Sequence, residues 1–233
     1  MLSKRTLLVY FLLLTSVLAA KESTVFHQDS LNYLQKNAMA IQFGISNDFN
    51  FTTFAGGTFS FKYHFSSKVA LRAIAGLSTR IYDGTADENY DGSDKADSDV
   101  DYNNYSISGK LPIVFYPKPL NNATPYFGLG PLIGHSHADQ KQKYTSSDLY
   151  RETEQRTNLW NIGISGLAGA ELFVHKNISI HVEYFASLYY QYRKQTSKTI
   201  YNNSDIQESK QTAEYNEYHF DGSNVYFGLS VYF

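Results

Sequence analysis

The feature that most restricts the fold of this sequence is a repeated alternation of apolar and polar residues. In NVYFGLSVYF, which ends at Phe233, the odd positions are apolar, and the even positions hold Asn, Tyr, Gly and Ser. Seven other segments alternate in the same way: residues 38–46, 57–65, 69–82, 105–116, 124–136, 159–174 and 178–193. A period of two is that of a β-strand with one apolar face. The sequence therefore predicts an all-β protein with eight strands.

Two architectures accommodate such strands. A soluble sandwich turns the apolar face inward, and a membrane barrel turns it outward to lipid. The polar face is rich in Gly and Ser, and short connections alternate with stretches of about twenty residues, as in a small barrel. An even number of strands also returns both chain ends to the same side, and closure of the barrel leaves no backbone edge unsatisfied in lipid. We predict an eight-stranded antiparallel up-and-down transmembrane β-barrel in residues 38–233, with bulges or kinks at Pro112 and Pro131; a secreted sandwich is the alternative.

The N-terminal residues have the features of a secretory signal. Lys4 and Arg5 precede an apolar run at residues 7–14, and small residues follow at positions 19 and 20. An N-terminal anchor helix is the alternative, but the run is short for a membrane span. We therefore predict a signal peptide at residues 1–20 and a short N-terminal segment at residues 21–37.

Composition excludes several classes of function. The sequence has no cysteine, so neither disulfides nor thiolate chemistry are available. The formal net charge is -2, which gives no reason to expect nucleic-acid binding.

Several segments resemble a known family. SISGKLPIVFYP, TPYFGLGPLIG and GAELFVHKNISIHVEYFASLYY resemble strands of the small outer-membrane β-barrel proteins, the OmpA/OmpX-like group, and KYHFSSKVALRAIAGLS is similar to its second hairpin. The terminal SVYF is similar to the signal read by the outer-membrane assembly machinery, in which a terminal Phe follows apolar residues at alternate positions. Here these positions hold Phe233, Val231 and, just before SVYF, Leu229. The resemblance implies location in the cell outer membrane, with outer-membrane lipids and that machinery as partners.

Charged residues on the polar strand faces are candidates for the lumen. By alternation these are Lys62, Arg72, Arg80, Lys110, Glu171, Glu183 and Arg193. They could line a selective pore or form a network of salt bridges that fills the lumen. Eight strands enclose a space just wide enough for side chains, and buried charges must pair, so we predict the network.

An acidic stretch at residues 83–101 is the one candidate for metal binding that has a motif. Asp87, Asn89, Asp91 and Gly92 match the opening of a calcium loop, whose oxygen ligands stand at alternate positions. Ser98 stands where the closing Glu would be expected. The sequence favours a solvated acidic loop, and weak Ca²⁺ binding is a hypothesis; no other cofactor is predicted.

Other residues are candidates for a rim site or for membrane anchoring. His135 and His137 could share a metal, and with Ser136 they could serve a rim-located enzyme that modifies lipid A, although adjacent His and Ser do not reproduce a hydrolase geometry. Aromatic residues near strand ends are predicted to form interfacial girdles: Trp160, Tyr184, Tyr190 and Tyr192.

The function predicted from the sequence is non-enzymatic. The barrel would be a membrane-anchored platform displaying polar extracellular loops, in envelope integrity, adhesion or surface recognition. A narrow pore and the lipid A enzyme are the alternatives, and the extracellular ligand is not identified by any motif.

Overall fold

The structure is a computed structural model that describes residues 34–46, 49–51, 55–89, 95–117, 123–146, 150–203 and 205–233. The described residues contain β-strands and turns but no helix. No helix in this part of the chain is therefore long and apolar enough to cross a membrane. The strands are β1 Met39–Ser46, β2 Gly57–Ser66, β3 Val69–Asn89, β4 Lys95–Lys110, β5 Ile113–Phe115, β6 Ala123–Thr145, β7 Tyr150–His175, β8 Ile178–Asn203 and β9 Asp205–Tyr232.

The strands form a closed antiparallel ring, which confirms the predicted eight-stranded up-and-down barrel. Apart from β4 and β5, each strand pairs with its neighbour along the chain, and β1 closes the ring by pairing with β9. β4 and β5 occupy one position in the ring, because both lie between β3 and β6. At the seam, the backbone N–H of Phe233 donates to Met39 O at 2.9 Å, and the N–H of Met39 donates to Phe233 O at 3.1 Å.

The prolines do not produce the bulges expected from the sequence. Pro112, which has no N–H to donate, lies in the break between β4 and β5, and the register of these two strands on β3 is unchanged across it. Pro131 pairs within β6 without a shift. The register shifts instead occur near the short turns, between His64 and Ser66 and between Phe173 and His175, and at residues 185–187 of β8.

The apolar face of every strand points outward. On β7, Ile164 is 51% exposed, whereas its neighbour Ser165 is 2% exposed. The same alternation leaves large apolar side chains exposed around the ring: Ile41, Phe59, Phe61, Leu77, Ile107, Ile113, Phe127, Leu129, Ile133, Ile162, Leu172, Ile180, Leu188, Phe227 and Leu229. The interior is largely polar, which is the reverse of a soluble sandwich. The sandwich alternative is therefore wrong.

Aromatic side chains mark the edge of this apolar belt nearer the long hairpins. The His135 and Trp160 rings lie 4.3 Å apart on the outer surface, and Tyr190 contacts Tyr218 at 5.4 Å. Trp160 also pairs in register with Tyr192. Tyr184 is the seventh of the 26 residues of β8, and its hydroxyl donates to the carbonyl of Gly222. The girdle role of Tyr184 stays a prediction.

The long connections expected from the sequence are largely strands. β3 and β4 remain paired up to Asn89 and Lys95, β6 and β7 up to Thr145 and Tyr150, and β8 and β9 up to Asn203 and Asp205. Polar residues that could form a solvent-exposed loop can equally form a strand, so the sequence did not predict this extension. β1 and β2 stop earlier, at the pairs Ser46–Tyr226 and Thr58–Gly76.

Six strands therefore continue beyond the ring as one sheet. We call this the outer sheet and define it as residues 82–89, 95–102, 140–145, 150–155, 197–203 and 205–211. It is continuous from β3 to β9 through cross-strand pairs. On the side of β1 and β2, the described residues provide no paired neighbour for its two edges.

Candidate functional site: a filled lumen and a two-faced outer sheet

The lumen near the short turns is filled by two buried ion pairs. Lys62 Nζ lies 3.0 Å from Glu171 Oε2, and both side chains are 0% exposed. Arg72 forms an ion pair with Glu183, and both of these side chains are also buried. Alternation places all four on inner strand faces, and the barrel brings together residues more than 100 positions apart in the chain.

Hydroxyl groups complete the Lys62–Glu171 pair. The Tyr232 and Ser179 hydroxyls donate to Glu171 Oε1 at 2.7 and 2.5 Å. Lys62 also lies 5.5–5.6 Å from the ring centres of three tyrosines: Tyr116, Tyr126 and Tyr232. These contacts stabilise a charge that is removed from water.

Arg72 is held by a second set of partners. Its Nε donates to Ser60 Oγ at 2.9 Å, and Tyr126 OH donates to Glu183 Oε1 at 2.5 Å. Ser60 continues the chain of bonds through Gln42 to Ser230, at 3.2 and 2.8 Å. This chain of bonds thus runs along the inner wall over four neighbouring strands, from β3 through β2 and β1 to β9.

Three lumen candidates lie outside these two pairs. The Lys110 ammonium lies 4.4 Å from the ring centre of Phe185. Arg193 donates to Gln191 Oε1 at 3.1 Å. Arg80 is on the inner-facing parity of β3 but is exposed, because it lies beyond the last residue that pairs with β2. Sequence alternation found the charges but did not single out the tyrosines and serines that surround them, since both residue types are frequent throughout the chain.

His135, Ser136 and His137 do not come together as the rim-site hypothesis requires. Ser136 faces inward and donates to Asn104 Oδ1 at 3.2 Å, whereas His135 faces outward against Trp160. His137 also faces outward, with Nε2 at 2.9 Å from Asp139 Oδ2. Successive residues of a strand point to opposite faces, so neither histidine reaches Ser136.

The calcium hypothesis falls largely beyond what the structure describes. Asp91 lies outside the described residues, and Asp87 and Asn89 are described only through their backbone in β3. Among the described residues, no group of three or more His, Cys, Asp or Glu side chains could hold a metal ion. Weak Ca²⁺ binding stays a prediction.

The two faces of the outer sheet differ in chemistry. One row, traced by register across all six strands on the outward face, consists of Asp83, Asp101, Lys141, Glu154, Lys198 and Lys210. The adjacent row on the inward face consists of Tyr82, Tyr102, Gln140, Gln155, Ser197 and Gln211. Every residue of the outward row is charged, whereas no residue of the adjacent inward row is charged.

Ion pairs organise much of the outward face. Lys141 Nζ lies 2.5 Å from Glu152 and 3.4 Å from Glu154. The hydrogen bonds that Lys141 and then Tyr150 donate hold the pKa of Glu152 below its usual 4.5. Next to this cluster, a groove of about 340 Å³ is lined by eleven residues, of which six are charged. This face is therefore suited to charged or strongly hydrated surroundings.

Comparisons with known proteins identify no family. No protein-family model matches the sequence, and no curated protein matches it. Among solved structures, OprG from Pseudomonas aeruginosa is 13% identical over 85% of this chain and 97% of its own, with a TM-score of 0.40. CarO from Acinetobacter baumannii is 11% identical over 87% and 100%, with a TM-score of 0.34, and a major outer membrane protein from Thermus thermophilus is 11% identical over 84% and 98%, with a TM-score of 0.31.

Proposed function

We propose that this chain is a non-enzymatic, integral outer-membrane β-barrel that holds the outer sheet in the external medium. The observation that carries the proposal is the inverted distribution of side chains: apolar outside, ionic and hydroxylic inside. A soluble protein rarely exposes a continuous apolar belt, whereas lipid requires one.

The height of the belt supports membrane insertion. On β8 the outward face runs from Ile178 to Tyr190, and every second residue between them is apolar or aromatic. Twelve residue steps correspond to about 40 Å along a strand, or about 30 Å along the axis of a barrel whose strands tilt by about 40°. This height is close to the hydrocarbon thickness of a bilayer, about 30 Å.

The predicted signal peptide, the family resemblance and the position of the chain ends support the proposed compartment and orientation. The predicted signal peptide directs export, and the OmpA/OmpX-like resemblance favours the outer membrane. Both described termini lie at the short-turn end, where Phe233 pairs with Met39. Short turns face the periplasm in barrels of this kind, which supports an external position for the outer sheet.

The lumen network supports a platform rather than a channel. Two fully buried ion pairs with their hydroxyl partners occupy the cross-section at the short-turn end. Breaking them would leave unpaired charges in a poorly hydrated space, which is strongly unfavourable. The barrel therefore serves as a closed, rigid anchor.

Membrane fractionation and heat-modified gel mobility test this proposal. We expect an outer-membrane band whose mobility changes on boiling. Phe233→Ala should reduce the amount of this band, because Phe233, with Val231 and Leu229, is proposed to be read by the assembly machinery. Phe227→Ala is the matched control, since Phe227 is 53% exposed on the same face, as Phe233 is at 52%. A soluble periplasmic protein with no mobility shift would contradict the proposal.

A narrow pore is the second candidate. Serines on the inner face of β3 and β4, such as Ser78 and Ser106, are only half-buried above the ion pairs, so water could enter from the outer end. Planar bilayers distinguish the two functions. The platform predicts no conductance from the wild type, whereas stepwise conductance would establish the pore.

A further inference from the structure

We propose that the inward face of the outer sheet binds a neutral oligosaccharide chain from the external medium. This inference rests on the proposed function, because that function places the sheet outside the cell. It names the class of ligand for the platform.

The chemistry of the inward face is uniform over several rows. A second row, traced by register, consists of Gly84, Val100, Gln142, Thr153, Thr199 and Ser209. Like the row from Tyr82 to Gln211, it carries no charged side chain. Of the inward-facing side chains that the structure describes in this sheet, Arg151 alone is charged, and it lies over the ring of Tyr201 at 6.0 Å. The face therefore offers hydroxyls, amides and aromatic rings.

The amides of this face are available to a ligand. The side chains of Gln140, Gln155 and Gln211 make no hydrogen bond or ion pair to any described residue. Each amide has two N–H donors and one carbonyl acceptor. A sugar hydroxyl is also both donor and acceptor, so rows of glutamine, serine and threonine match a polyhydroxylated chain without any charge.

Tyrosines supply the second element of sugar recognition. Tyr82 is 58% exposed and Tyr201 is 37% exposed, both on the inward face. A tyrosine ring presents a flat apolar surface together with a polar hydroxyl. Such a ring can pack against the C–H face of a pyranose while neighbouring amides bond its hydroxyls.

Other classes of ligand fit this face less well. Protein interfaces bury apolar anchors at their centre, and Val100 is the main aliphatic side chain among the described inward-facing residues of the sheet. Nucleic acids and sulfated or phosphorylated glycans require several cations. A neutral glycan requires neither.

The direction of the face determines the source of the ligand. The charged outward face continues the lipid-facing side of the barrel, so it meets the surrounding headgroups. The inward face continues the lumen side, above the ion pairs, and on the side of β1 and β2 it has no paired strand among the described residues. A chain arriving from the medium reaches it without passing through the outer leaflet.

Calorimetric titration of the folded full-length protein tests the inference. The protein is placed in nanodiscs free of lipopolysaccharide and titrated with maltohexaose, cellohexaose and N-acetylchitohexaose, with a heparin hexasaccharide and a casein peptide as comparison ligands. We expect one neutral hexasaccharide to bind. Gln140→Glu with Gln155→Glu should weaken this binding at least tenfold, because the new carboxylates retain water and replace the N–H donors.

The matched control uses the adjacent residues on the opposite face, Lys141→Gln with Glu154→Gln, and should leave glycan affinity within twofold of wild type. Heat-modified gel mobility is measured on every variant. Loss of the mobility shift in the wild type would refute the proposed function. A folded barrel that binds no neutral hexasaccharide, prefers heparin or the peptide, binds glycan only when lipopolysaccharide is supplied, or loses binding in the outward-face control would refute this inference alone.

Discussion

Two ion pairs of the same type and length lie in different parts of the molecule. Lys62–Glu171 in the lumen and Lys194–Glu214 near the base of the outer hairpins both have N–O distances of 3.0 Å. The first pair is 0% exposed, and the second is 47% and 49% exposed. Water replaces a lost partner at the second site but cannot do so at the first. Distance alone therefore says little about the consequence of breaking an ion pair.

The largest expected effect is that of breaking the buried pair. Lys62→Met leaves Glu171 without its counter-charge, and we expect the free energy of unfolding to fall by about 3–5 kcal/mol. Urea unfolding of the refolded barrel, followed by gel mobility, measures this change. The double variant with Glu171→Leu removes both charges and should recover much of the loss. A double variant as unstable as the single one would show that lost packing, and not the unpaired carboxylate, dominates.

A smaller effect is expected when charge is kept and geometry is lost. Arg72→Lys retains the positive charge beside Glu183 but cannot also replace the bond from Nε to Ser60. We expect the free energy of unfolding to fall by about 1–3 kcal/mol, as for a buried polar group that loses a partner. Ser60→Ala removes the same bond from the other side. Equal unfolding curves for Arg72→Lys and wild type would mean that charge alone holds this part of the network.

The sequence predicted the barrel well because its information is repeated. Each outward residue, such as Ile162 or Ile164, is weak evidence alone, but eight segments with the same period restrict the fold strongly. The buried charges Lys62, Arg72, Glu171 and Glu183 were found for the same reason, since parity places them on the inner faces.

The pairing of those charges could not be predicted in the same way. Which lysine meets which carboxylate depends on barrel closure and on the register of distant strands, and Lys62 and Glu171 are 109 residues apart. The outer sheet was missed for a related reason. Polar residues such as Gln140 and Lys141 alternate neutral with charged, not polar with apolar, and a search for apolar periodicity overlooks this pattern.

The third prediction concerns the stability of the β6–β7 hairpin as a function of pH. Glu152 has a lowered pKa in the folded hairpin, so its contribution to stability is present above the usual 4.5 and is lost as the pH falls through the lower folded value. We expect amide exchange near Thr145 and Tyr150 to become faster over that range. Glu152→Gln should exchange faster at neutral pH and lose this part of the pH dependence. Unchanged exchange at low pH in the wild type would show that Lys141 and Tyr150 do not stabilise the hairpin through Glu152.

The smallest effect is expected at the exposed counterpart of the buried pair. Lys194→Met breaks an ion pair of the same length as Lys62–Glu171, but Glu214 is open to water, which solvates its carboxylate. We expect the urea midpoint of the variant to match that of wild type, and added salt to remove any residual difference. Glu214→Gln should behave in the same way. A loss comparable to that of Lys62→Met would mean that the hairpins exclude water around Lys194 and Glu214. Exposure to water would then not distinguish this ion pair from the one in the lumen.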